Sequence, residues 1–294
     1  MKFTMKVVAL AIAATFSVGA FAEGSKSNVN VDTAVQIGGA AGGSSSKQKL
    51  SVGNASDGGQ SNVKAGTVAQ IGGAAGGSSN DQKLSIGNAK KGGKSNVNVD
   101  TIVQIGGAAG GSSNKQKLSV GNASDGGQSN VKAGTIAQIG GAAGGSSNDQ
   151  KMAVGNAKKG GKSNVNADTI VQIGGAAGGS SNKQKLSVGN ASDGGQSNVK
   201  AGTIAQIGGA VGGSSNDQKL SVGNASKGGK SNVTADTIVQ IGGAAGGSSN
   251  KQKLSVGNAS NGGESNVKTG TVAQIGGAVG GSSNDQSLSL GNAK

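Results

Sequence analysis

The triplet Ser-Asn-Val returns at Ser27, Ser61, Ser95, Ser129, Ser163, Ser197, Ser231 and Ser265, a spacing of 34 residues with no insertion anywhere. Eight copies fill the chain from residue 27 to Lys294, the last ending four residues short of a full unit. A unit this short cannot bury an apolar face by itself, so the period demands either disorder or a stack in which each copy covers the next. Positions within the unit are numbered below from 1 at each of these serines.

What precedes the repeats reads as a leader. Lys2 and Lys6 are followed by an apolar run over residues 7–16 and by Ala20-Phe21-Ala22, the small-x-small pattern that a signal peptidase cuts. The run is too short to cross a bilayer, so we expect export and no membrane span. The expected division is 1–22 leader, 23–26 a short N-terminal segment, and 27–294 eight tandem repeats forming one β-solenoid.

Removing the leader removes Phe3, Phe16 and Phe21, the only aromatic residues, from a chain that also has no Cys, Pro or His. Neither large side chains nor disulfides are then present to hold a conventional globule together. A regular array of backbone hydrogen bonds remains as the source of stability.

Alternation gives the elements. Over residues 27–37, Val29, Val31, Thr33, Val35 and Ile37 share one face and Asn28, Asn30, Asp32 and Gln36 the other. Over residues 48–55, Gln48, Leu50, Val52 and Asn54 oppose Lys49, Ser51, Gly53 and Ala55. Glycine-rich arcs at 38–45 and 57–59 separate the strands. The fold class expected is all-β, a β-solenoid of eight stacked 34-residue strand-arc-strand rungs. A narrower helix of half-units, about 17 residues each, ranks behind it: Ile37-Gly38-Gly39-Ala40 echoes Val52-Gly53-Asn54-Ala55, but the echoes are spaced 15 and then 19 residues apart.

Charge supports stacking over disorder. In a stack, equivalent residues lie about 4.8 Å apart, where like charges repel. Position 21 reads Lys47, Asp81, Lys115, Asp149, Lys183, Asp217, Lys251 and Asp285, an alternating charge ladder. Position 31 alternates likewise through Asp57, Lys91, Asp125, Lys159, Asp193 and Lys227. Asp32, Asp100, Asp168 and Asp236 of odd units are placed to pair diagonally with Lys64, Lys132, Lys200 and Lys268 of even ones. Duplication of a 68-residue pair accounts for the fidelity of this pattern, but not for opposite charges at matching positions.

The repeats resemble those of curlin, the main subunit of curli fibres. Ser27 is followed by Gln36-Ile37-Gly38, and Val52-Gly53-Asn54-Ala55 supplies an Asn and an Ala on the returning strand, in all eight units. The unit departs from curlin in its length, in the adjacency of Asn54 and Ala55, and in the lack of aromatics. The resemblance implies an amyloid-like fibre of a biofilm matrix that supports adhesion, at the cell surface or outside the cell. It also implies export through an outer-membrane secretion pore, a nucleating subunit and periplasmic chaperones as partners.

Independently of the resemblance, the absence of proline and of an evident capping segment predicts that both end rungs offer unpaired backbone groups to another copy of the chain. Two amide ladders are expected inside the stack. One runs through Gln48, Gln82, Gln116, Gln150, Gln184, Gln218, Gln252 and Gln286; the other through Asn54, Asn88, Asn122, Asn156, Asn190, Asn224, Asn258 and Asn292.

Two further columns leave alternatives open. Position 8, from Ala34 through Val68, Ile102, Ile136, Ile170, Ile204 and Ile238 to Val272, either packs fibre against fibre or is covered within one molecule. Lys49, Lys83, Lys117, Lys151, Lys185, Lys219 and Lys253 form a column of one sign. It is either a surface for anionic polysaccharide, extracellular DNA or lipopolysaccharide, or a solvated face that keeps fibres soluble.

Catalysis has little to work with. There is no His or Cys to build a nucleophile-base pair, and the acids are spaced as ladder members; no cofactor or metal is expected, and no enzyme. The rival class is a non-polymerising β-solenoid, an adhesin or an ice-binding protein. The threonine column from Thr33 and Thr67 to Thr271 falls, by parity, inside with the valines, which leaves no flat ice-binding face.

Overall fold

The computed structural model describes residues 16–18, 22–23 and 26–293, and among these it contains strands, arcs and turns but no helix. Most of the expected leader lies outside the described residues. Each unit makes one turn of a parallel β-solenoid, so the half-unit helix is ruled out: Ser95 pairs with Ser129 and Ser61, 34 residues on either side.

The third rung shows the pattern. A long strand, Lys94–Ile105, is followed by a glycine corner, a short strand Ala108–Ala109, a glycine turn and a return strand, Ser113–Val120. A second corner, the short strand Ala123–Ser124 and a turn lead to the next long strand, Gln128–Ile139. The arcs are thus not bare turns; each continues the ladder, through a two-residue strand in most and through a single bridging residue at Ala89 and Ala293. Long strands form one eight-stranded sheet in chain order, and the Ala-Ala strands form another. Return strands form a nine-stranded sheet, because Phe16–Val18 runs parallel to Ser45–Val52 with Phe16 opposite Leu50.

The return strand has the expected parity as far as its valine, with Gln116, Leu118 and Val120 buried. It ends there, and past the turn at Gly121 the expected order is reversed, with Ala123 buried and Asn122 half-buried. The long strand keeps its parity only halfway. Ser95, Val97 and Val99 point inward; past Asp100 the inward residues are Ile102 and Gln104, while Thr101, Val103 and Ile105 face out. The ladder pairs Val99 with Ala133 and then Thr101 with Thr135, leaving Asp100 and Gly134 out. Asp and Gly are both poor strand formers, and one unpaired residue reverses every side chain after it. Every rung bends at this position, so the 34-residue register survives.

The bend corrects three expectations. Val35 and Ile37, expected inside, are exposed. The threonine column stands on the outer side, half-buried in most rungs. The position 8 column is core: Ala34, Val68, Ile102, Ile136, Ile170, Ile204 and Ile238 are buried and Val272 packs against the same cluster, so it serves no contact between fibres.

The apolar core is one continuous column of Val, Ile and Ala from the long strands facing Leu and Val, with Ile86 and Met152, from the return strands. Close approach at the corner after the long strand requires glycine. A Cβ at Gly140 would collide with the carbonyl oxygen of Gly106 and reach within 2.6 Å of Gln116 Oε1. Gly145, at φ 74° in the turn, would instead place its Cβ in open space. We expect Gly145→Ala to lower stability by about 1–2 kcal/mol from backbone strain alone. Gly140→Ala should cost substantially more, since the rung above must move, as read from the denaturant midpoints of the two variants.

Candidate functional site

Among the described residues no three His, Cys, Asp or Glu side chains converge as a metal site, and no helix is long and apolar enough to cross a membrane. The features that repeat along the whole stack are its side-chain columns and its two end rungs.

The expected asparagine ladder is present; the expected glutamine ladder is interrupted, and the Oε1 atoms of Gln82, Gln116, Gln150 and Gln218 are buried without a donor. In the asparagine column, Asn88 Nδ2 donates to Asn54 Oδ1 at 3.0 Å, and the same bond recurs through Asn122, Asn156, Asn190, Asn224 and Asn258 at 3.0–3.2 Å. Asn292 joins the column through its backbone N–H, which donates to Asn258 Oδ1 at 2.9 Å. In the glutamine column, direct stacking bonds join Gln82 to Gln48, Gln218 to Gln184 and Gln286 to Gln252 at 2.8–3.1 Å. Gln116, Gln150, Gln184 and Gln252 instead use Nε2 to reach across the core to the carbonyls of Ile139, Ile173, Ile207 and Ile275 at 3.1–3.2 Å. This column therefore ties the return strand of one rung to the end of the long strand of the next.

Two more ladders run through the interior. The bend turns Gln36, Gln70, Gln104, Gln138, Gln172, Gln206, Gln240 and Gln274 inward, each amide donating to the one before it at 2.7–2.9 Å. Nothing in the alternation of the long strand signals this. The second was legible: Asn80, Asn114, Asn148, Asn182, Asn216, Asn250 and Asn284 lie two residues before the inward glutamines, hence on the same face. Here each Nδ2 donates to the next rung at 2.6–2.8 Å.

That ladder fails at one place. The first rung carries Ser46 where the others have asparagine, and Asn80 Oδ1 is left buried without a donor. An orphaned buried acceptor costs about 1–3 kcal/mol. Ser46→Asn is accordingly expected to raise stability by on the order of 1 kcal/mol, seen as a higher denaturant midpoint.

The charges behave less simply than their alternation suggests. Lys115 stands in register with Asp81 and Asp149, and the whole Lys47 to Asp285 column is aligned. No ion pair within 4.0 Å joins neighbours along it among the described residues; Asp149 bonds Lys151 on its own strand at 3.4 Å. The diagonal pairs of the long strand, such as Asp32 with Lys64, do not form there either. Outward side chains on a parallel ladder extend into solvent and gain little from closing. Pairs do form in the position 31 turn, Lys91 with Asp57 at 3.3 Å, Lys159 with Asp125 at 3.7 Å and Lys227 with Asp193 at 3.8 Å, all exposed.

The lysine column is exposed and in register from Lys49 to Lys253. Lys83 is held below the ordinary lysine value by partial burial first, then by Lys117, Lys49 and Lys90, with Asp81 opposing. Because its folded value lies below that of the unfolded chain, the charged form opposes folding at neutral pH. That opposition fades as pH rises through the folded value toward 10.5. Lys83→Gln should therefore stabilise the stack at neutral pH in dilute buffer, with the gain shrinking at alkaline pH and in high salt, as measured by thermal melting across both series.

The end rungs differ from all others in what they leave open. Leu288 and Leu290 of the last return strand are 47% and 48% exposed, whereas Leu220 and Val222, two rungs earlier, are 0% exposed. At the other end the long strand Lys26–Ile37 has, among the described residues, a neighbour on one side only. The return strand there is flanked by Phe16–Val18, and Leu50 and Val52 are buried.

No family model matches the chain, and neither a curated protein nor a solved structure does.

Proposed function

We propose that this chain is a secreted structural subunit, not an enzyme, that adds end to end through its open rungs to form amyloid-like extracellular fibres. The observation that carries the reading is the uncovered last rung, where core leucines and a full row of strand N–H and C=O groups face outward. Such an edge is a template for another strand.

The strands are all parallel, so the last rung is complementary to a first rung and not to itself. A contact of that kind is heterologous and does not close, which yields a filament. Across such a junction Asp285 meets Lys47 of the next copy, and the sign alternation continues. Cleavage after Ala22 removes Phe16–Val18 from the first rung and makes both ends available. The resemblance to curlin supports the same reading and brings the matrix setting, adhesion, secretion pore, nucleating subunit and chaperones with it. The exposed lysine column supports contact with anionic polysaccharide, extracellular DNA or lipopolysaccharide along the fibre flank.

A second reading is a solenoid that stays single and acts through a flat face as an adhesin or ice-binding protein. It gains from one finding: the threonine column stands outside, with valine and isoleucine columns beside it. The two readings part on size.

Incubated alone, the mature chain is expected to give unbranched filaments with reflections near about 4.8 Å and about 10 Å. Leu288→Lys with Leu290→Lys should leave the circular dichroism of the single solenoid unchanged while suppressing elongation. A wild-type chain that stays monomeric at high concentration would favour the second reading.

A further inference from the structure

One flank of the solenoid carries no charge. In every unit the fourteen residues from position 7 to position 20, such as 101–114, contain no Lys, Asp or Glu, although the chain holds 27 basic and 13 acidic residues. The outward side chains of this stretch on the long strand are threonine, then valine or alanine, then isoleucine. Ile71, Ile105, Ile139, Ile173 and Ile241 are 36–37% exposed, a straight ridge of equal height.

Beside the ridge, position 9 alternates in size: Val35, Ala69, Val103, Ala137, Val171, Ala205, Val239, Ala273. Ala69, Ala137 and Ala205 are buried between their valine neighbours, at 5–9% exposure. The face therefore has a notch at every second rung, a period of about 9.6 Å.

We propose that this face pairs two solenoids laterally in antiparallel orientation, the valines of one copy seated in the alanine notches of the other. The occupant follows from the period: a second copy has the same rise and the same two-rung alternation. The orientation follows from parity. A two-fold axis lying in the interface along the strands, between the fourth and fifth rungs, sets Val35 against Ala273, Ala69 against Val239, Val103 against Ala205 and Ala137 against Val171. Every valine then meets an alanine with all eight rungs overlapped. A parallel pair in full overlap sets valine on valine. Eight rungs by three columns make a patch of about 38 Å by about 18 Å, roughly 700 Å² per copy, close to the ~800 Å² per partner of a stable interface. This pairing does not depend on end-to-end growth.

The test uses the mature chain, which has no cysteine, with Asn62→Cys carrying a spin label. Asn62 is exposed on the second long strand, outside the charge-free segment. Lateral antiparallel pairing places the two labels five rungs apart along the axis and one sheet spacing apart across it, a distance of roughly 25 Å. End-to-end addition alone places them eight rungs apart, roughly 38 Å. Filling the notches with Ala69→Val, Ala137→Val and Ala205→Val is expected to weaken the shorter distance about tenfold through steric overlap and to leave the longer one in place. The longer distance alone, a separation of roughly 47 Å that marks parallel pairing, in which the strands of the two copies run oppositely and the labels stand on opposite sides of the ridge, notch-filled variants that pair as before, or no distance at any concentration would each overturn the proposal. The loss of the longer distance alone would instead count against filament growth.

Discussion

Register is the constraint on which the rest of this structure depends. Backbone hydrogen bonds join each unit to the next at a shift of 34 residues, so nearly every side chain stands beside its own counterpart above and below. A residue is then acceptable only if it tolerates itself at about 4.8 Å. Apolar side chains do, and so do amides and hydroxyls, which both donate and accept. Lysine donates only and aspartate accepts only, so neither satisfies its own copy, and both are confined to the outer faces. The composition is a record of that filter: a core of Val, Ile, Leu and Ala, an interior polar set of Gln, Asn and Ser, and charge outside.

The glutamines and asparagines give the stack a second layer of cohesion where apolar side chains run out. Near the glycine arc, two glutamine columns and one asparagine column occupy the interior, and Gln116 and its counterparts bridge the two large sheets through the Ile139-type carbonyls. Buried amides are stabilising only when their bonds are complete. The single serine in the first asparagine position shows the consequence of an omission, since it strands Asn80 Oδ1. Serine fills a different role at the start of the third to eighth units, where Ser95 Oγ and its counterparts donate to a glycine carbonyl across the core, that of Gly53 for Ser95. A rung without aromatics or disulfides is thus joined through apolar contact on one side and hydrogen bonding on the other.

The period, the parallel stack and the faces of the return strand were legible because each rests on a local alternation or an exact repeat. The second half of the long strand was not. Thr101, Val103 and Ile105 continue the apolar alternation of Val97 and Val99 without a break in the sequence, and only the unpaired Asp100 reverses them. Asp and Gly at that position signal weak strand propensity, which does not reveal whether the chain bends or runs straight. The reversal explains at once why Gln104 is buried, why Ile102 belongs to the core and why the threonines are outside. Alternating charge marked which columns face solvent, but not which ions meet, because exposed pairs are set by side-chain reach and hydration more than by register.

Interchangeable rungs have one further consequence. In a globular domain the edge strands differ from the central ones, by charge, bulge or proline, and that difference ends the sheet. Here the long strand of the last rung, Glu264–Ile275, keeps the Ser-Asn-Val start, the glutamine and the isoleucine of Lys230–Ile241 beneath it. A rung supplied by another molecule would therefore find the same hydrogen-bonding row, the same leucine column and the same amide ladders that an internal rung finds. The free energy of adding it resembles that of adding one more internal unit, less the loss of translational freedom, which a single chain avoids through its covalent links. Each added molecule gains one such junction against one such loss, because the interfaces among its own rungs are already closed within the folded chain, so the extent of assembly is set by the strength of that single junction and by protein concentration.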